Sequence, residues 1–126
     1  MLDTMRRSVR LLPAALLVTL CAVPALAQDA AVVNSSTVTV KLDNAHVRVL
    51  DSVLKPGQKE QLHSHPASLI YVIDGGKIRN HTSDGKVTES ELQPGATIYR
   101  EPLTHWAENI GTTTVHLILV ELKDQK

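Results

Sequence analysis

Cysteine is almost absent from this 126-residue chain, with Cys21 as its single copy. Aromatic residues are nearly as scarce, at one tryptophan, two tyrosines and no phenylalanine, and 13 basic residues face 13 acidic ones. The longest apolar run, residues 11–23, is broken by Pro13 and Thr19 and falls short of the roughly 18 residues that span a bilayer. Arg6, Arg7 and Arg10 precede that run, and Ala25-Leu26-Ala27 follows it as a small-x-small cleavage site. This pattern predicts a cleavable signal peptide over residues 1–27, a mature chain starting at Gln28, and a periplasmic or secreted protein. Lipid attachment at Cys21 is disfavoured by the bulk of Leu20. Arg6-Arg7 raises the twin-arginine export route, against which Arg10 stands where an apolar residue is expected.

Each scarcity excludes a class. The one cysteine leaves with the leader, so a disulfide scaffold, a zinc finger and a thiol nucleophile are all excluded, and any metal must be held by histidine and oxygen ligands. Loss of Asp3 and the three leader arginines leaves 10 basic against 12 acidic residues. That balance carries no electrostatic footprint for nucleic acid, and no membrane contact is expected after cleavage. With so few rings, the core has to be built from Val, Ile, Leu and Ala.

The remaining 99 residues suffice for one domain and one core. Residues 28–36 are small and polar and read as a flexible lead-in; residues 37–126 form the domain. Short runs of period-2 alternation follow, at 37–42, 47–54, 77–81, 86–92, 97–99 and 113–122, with a continuous apolar run at 69–73. Asp43-Asn44, Lys55-Pro56-Gly57, Asp74-Gly75-Gly76, Ser83-Asp84-Gly85, Pro94-Gly95 and Asn109-Ile110-Gly111 punctuate them, with Asp84-Gly85 marking a hairpin. No stretch sustains helical periodicity, so the domain is expected to be all-β, a sandwich or barrel.

All six histidines lie beyond the leader. His63 and His65 are two apart, so on an extended backbone their imidazoles share a face. His105 follows about 40 residues later beside Trp106, the only tryptophan. A His-x-His pair with a third histidine downstream is a metal-ligand pattern, though spacing alone leaves a plain structural role equally open.

Gly57, five residues, His63-Ser64-His65 and then Tyr71-Val72-Ile73-Asp74-Gly75 resemble the first motif of the cupin superfamily. Pro102-Leu103-Thr104-His105, three residues, Asn109 and then Gly111 resemble the second. The resemblance implies a double-sheet jelly-roll β-barrel in which His63, His65 and His105 hold one divalent metal ion in the barrel mouth. It also implies a motif glutamate, and here the chain departs: that position falls on Ser68 or Leu69. Three neutral imidazoles without a carboxylate leave the ion its full charge and suit Fe, Zn, Ni or Cu better than Mg.

Other side chains near these motifs are weaker candidates for the pocket. Gln61 shares parity with His63 and His65; Ser68 sits at the vacated glutamate position; Glu101 precedes Pro102 at the expected mouth. Tyr99 and Trp106 are pocket candidates too, with a core position the more ordinary expectation for both. Asn109 reads as a turn-setting residue, His46 and His81 as surface residues, and His116 as exposed or buried between subunits.

Two functions follow from the resemblance. One is an exported metal-dependent enzyme acting on a small polar organic molecule, by dioxygenase-like or by Lewis-acid, isomerase-like chemistry. The other is a non-enzymatic cupin module that binds a small molecule or a metal. A homodimer is expected, burying part of the long apolar last strand.

Overall fold

The computed structural model describes residues 28–124, so the expected leader lies outside the described residues. Among the described residues one helical turn, α1 (Ala30–Val33), precedes nine strands: β1 (Val38–Asp43), β2 (Val47–Leu54), β3 (His63–His65), β4 (Ser68–Asp74), β5 (Gly76–Thr82), β6 (Val87–Leu92), β7 (Thr97–Arg100), β8 (Leu103–Asn109) and β9 (Val115–Leu122). The all-β expectation holds, and no helix among these residues is long and apolar enough to cross a membrane.

The strands form a five-stranded sheet in the order β1-β2-β9-β4-β7 and a four-stranded sheet in the order β3-β8-β5-β6. From β2 onward the chain passes back and forth between the sheets, the interleaving of a double-sheet jelly roll. Alternation decides which side chains enter the space between them. Leu50, Ser52 and Leu54 of β2 and Ser68, Ile70 and Val72 of β4 are buried, while Leu69, Tyr71 and Ile73 of β4 stay exposed. The apolar interior falls into two clusters, one of Ala30, Val38, Leu50, Ile70 and Leu119, the other of Leu54, Ile78, Ala107 and Val115. Both are wholly aliphatic, as the composition requires.

The lead-in expected to be flexible is instead anchored to the barrel. Asp29 caps α1 by accepting from the Ala31 and Val32 amides, and Ala30 is only 1% exposed. The Ser64 amide donates to Gln28 O at 2.9 Å, and the Gln61 amide donates to Asn34 Oδ1 at 2.7 Å. Burial of Ala30 and these long-range hydrogen bonds offset an ordering cost that local sequence could not reveal.

β9 lies between β2 and β4 and is paired along both edges. At the other end of the barrel Asn109 is buried and does set a turn. Its Nδ2 donates to Leu54 O and Thr113 O at 2.8 and 2.7 Å, and its Oδ1 accepts the Gly111 amide. Gly75 allows the β4–β5 connection to pass close to the end of β6, since a Cβ there would lie 2.1 Å from Leu92 O.

Candidate metal centre

The extended backbone of β3 turns His63 and His65 to one side, and antiparallel pairing with β8 sets His105 directly opposite His63. All three side chains are buried, and their ligand-capable nitrogens lie within 4.8 Å of one another. The ring centroids are 4.7 Å apart for His63–His65 and for His63–His105, and 5.5 Å apart for His65–His105.

Each ring is held by its other nitrogen. His65 Nδ1 donates to Glu121 Oε1 at 2.6 Å, His63 Nδ1 to Gln61 O at 2.7 Å, and His105 Nδ1 to Asn80 Oδ1 at 3.2 Å. Asn34 Nδ2 stands 3.0 Å from His63 Nδ1 and also reaches Gln61 O, closing a small network around that ring. Acceptors at Nδ1 place the proton there and leave Nε2 as a bare lone pair. Histidine metal ligands are oriented in this way.

The Nε2 atoms then face one another without compensation. His63 Nε2 and His65 Nε2 are 2.9 Å apart, and His105 Nε2 is buried with no hydrogen-bond partner among the described residues. Burial holds His105 far below the usual imidazole range, at about 2, with further depression from His63, Arg100 and His65. Burial also lowers the pKa of His63. Converging Nε2 atoms and an orphaned buried nitrogen fit a divalent ion whose chemistry suits imidazole.

Two charged residues that sequence reasoning did not select share the cavity with these rings. Glu60 Oε2 is 4.0 Å from His63 Nε2, and burial raises its carboxyl to about 7, against smaller opposing effects from His65, the Ala107 backbone and Arg100. Arg100, the inward-facing end of β7, also lines the cavity, and burial lowers its pKa. Glu60 precedes β3 and lies outside the motif spacing, so only its closeness in sequence to the His-x-His pair could have flagged it. Arg100 could have been flagged by parity, since Ile98 and Arg100 face inward where Thr97 and Tyr99 do not. The rest of the cavity is largely aliphatic, with Ile70, Ile98, Leu117 and Leu119 from the five-stranded sheet and Ile78 and Ala107 from the other.

Most of the remaining candidates are placed elsewhere. The Gln61 side chain is exposed, and its backbone does the work at His63. Ser68 is buried beside Glu121 in the register of β4 and β9, its hydroxyl unpaired. Tyr99 is 54% exposed on the outer face of its sheet, neither core nor pocket, because its parity is opposite to that of Arg100. Glu101 is exposed. Trp106, also neither core nor pocket, is half-buried on the outside of β8, where it stacks on His81 with centroids 3.7 Å apart. His81 and His116 are half-buried, within hydrogen-bond reach of Glu108 and Asp51 at 3.2 and 2.8 Å.

No protein-family model and no curated protein matches this chain. Solved structures do. A cupin domain from Bordetella pertussis is 26% identical with a TM-score of 0.64, covering 69% of this chain and 92% of that one. A conserved protein with a double-stranded β-helix domain from Klebsiella pneumoniae is 26% identical with a TM-score of 0.54, covering 68% of this chain and 74% of that one. An RmlC-like cupin family protein from Methanocaldococcus jannaschii shares the fold at 18% identity and a TM-score of 0.55, covering 68% and 80%.

Proposed function

We propose that this chain, a member of the cupin superfamily, is an exported metal-dependent enzyme that acts on a small polar organic molecule. The observation that carries the reading is the donor set: three buried imidazoles, each held through Nδ1, present three Nε2 lone pairs to one another. His63, His65 and His105 would hold one divalent ion, with Fe, Zn, Ni and Cu matching the nitrogen donors. When bound, such an ion supplies Lewis-acid polarisation or the redox chemistry of a dioxygenase-like reaction.

The chain's own groups complete the site. Glu60 sits against His63 with a carboxyl raised to about 7, where it can hold or release a proton near neutral pH. That group favours turnover over simple capture of a ligand, because a binding module has no need of a buried acid. The aliphatic walls exclude water and receive the apolar part of a substrate.

Metal analysis of the natively expressed protein tests the proposal. About one ion per chain is expected, and His63→Ala or His105→Ala should abolish it. Protein that stays metal-free and resists loading with Fe²⁺, Zn²⁺ and Ni²⁺ would sink it. For metal-bearing protein, oxygen consumption against thiols, diketones and phenolics separates oxygenation from Lewis-acid chemistry.

Export and dimerisation belong to the same proposal. The residue pattern of 1–27 supports export to the periplasm or beyond. The outer face of the five-stranded sheet supports a homodimer, because Leu69, Tyr71 and Tyr99 are exposed there beside half-buried Ile118 and Val120.

A further inference from the structure

The cavity is walled mainly by aliphatic residues, with His65, His105, Glu60 and Asn80 among its polar groups, and it also contains a guanidinium. Arg100 reaches it from β7, an edge strand, where Ser68 and Arg100 are register partners and both face inward. A guanidinium carries five N–H donors and keeps its charge, so half-burying one beside Ile70, Ile98 and Leu119 carries a desolvation cost that a bound anion would offset. Within the described residues the Arg100 side chain makes no hydrogen bond and no ion pair within 4 Å. Glu60 acts on it only through the longer-range field, and its carboxylate stands against His63 instead. Arg48 is partnered differently: both terminal nitrogens reach Asp29 and the group lies 3.8 Å from Glu121, although its Nε is buried without a partner among the described residues. The Arg100 side chain has no partner among the described residues, and it is turned toward the cavity that also holds His65 and His105.

The geometry points to Arg100 as the anchor for a carboxylate group of the ligand, which makes the ligand a small organic acid with an aliphatic body. The planar fork of a guanidinium matches the two oxygens of a carboxylate, and a dry wall strengthens such a pair relative to water. The aliphatic residues of both sheets then cover the body of the acid, and its polar end remote from Arg100 lies at the three histidines. This deepens the proposed function and rests on it for what happens at the histidines, but the anion anchor itself requires no metal.

Calorimetric titration with 3-methylbutanoate and with 3-methylbutanamide tests it, since the two probes share a shape and differ in charge. Natively purified wild-type protein is expected to prefer the carboxylate by about tenfold or more, in line with a charge-assisted pair. Arg100→Met should abolish the preference while the metal content per chain stays unchanged. Arg100→Lys, which keeps a charge and is the milder change for folding, should retain part of it. In His105→Ala protein, where the metal is expected to be lost, the preference should persist. Wild-type protein that binds both probes equally, or an Arg100→Met protein that still favours the carboxylate, overturns the anchor. A chain that takes up no metal yet prefers the carboxylate through Arg100 overturns the metal reading alone.

Discussion

Glu121 and His65 stand 56 positions apart in sequence and 2.6 Å apart in space, joined by a hydrogen bond from a ring in one sheet to a carboxylate in the other. Both are buried, and Glu121 in turn lies 3.8 Å from Arg48. The carboxylate sets the His65 tautomer and raises the basicity of the nitrogen that faces the cluster.

Glu121→Gln keeps an acceptor but removes the charge. It is expected to weaken metal binding by about 10- to 100-fold without changing the number of ions bound. Titration of apoprotein with Zn²⁺ or Ni²⁺ against a competing chelator measures this, and an unchanged affinity would deny Glu121 any part in the centre.

Asn34 accepts the Gln61 amide and presents its own amide group to His63 and Gln61 O. Asn34→Ala leaves the part-buried Gln61 amide short of a partner and should cost about 1 kcal/mol of stability. It should also weaken metal binding, though less than loss of a ligand. Chemical denaturation with and without metal separates the two effects.

Glu60 gives the metal-free protein a pH signature. Its folded pKa of about 7 lies above the ordinary carboxyl value of 4.5, so the native state holds a proton that the unfolded state has released. Its contribution is therefore fully present below 4.5 and is lost as pH rises through 7. His63 and His105 act with the opposite sign, because their lowered pKa values make stability fall as pH drops below 6.5. Glu60→Gln should remove the alkaline loss alone, raising stability at pH 8 by on the order of 3 kcal/mol relative to wild type. Melting temperatures from pH 5 to 8 would show it, and parallel curves for the two proteins would refute it.

Tyr71, 49% exposed amid Leu69, Ile73 and Tyr99, marks the face proposed for dimerisation. Tyr71→Asp is expected to halve the mass seen by light scattering while metal content is retained. Wild-type protein that is monomeric at tens of micromolar would remove the dimer.

Much of this was legible in the residues. Alternation, one apolar run and turn residues located seven of the nine strands among the described residues, the Asp84-Gly85 hairpin formed where its glycine called for it, and the three histidines meet as the cupin resemblance implied. β3 was unreadable because three residues carry no period, and β8 because its inward positions are His105, Ala107 and Asn109 rather than an apolar series. Glu60 and Arg100 were missed for a related reason: a charged residue in a loop or at a strand end looks solvated until tertiary packing closes over it. Tyr99 and Trp106 show the reverse, rings expected inside that parity turns outward. The apolar run of 69–73 carries no alternation at all, and only the second face of the sheet distinguishes Ile70 from Tyr71.

The helical turn at the start of the described chain bears on when the centre can form. Asp29 is tied through Arg48 to Glu121, and Glu121 to His65, so the first and last parts of the barrel meet at one ring. A nascent chain that has already released His63, His65 and His105 still lacks β9 and the carboxylate that orients His65. Any ion held by the three histidines would therefore be captured late in folding rather than at its nucleus, and a chain that crosses a membrane unfolded would acquire it on the far side.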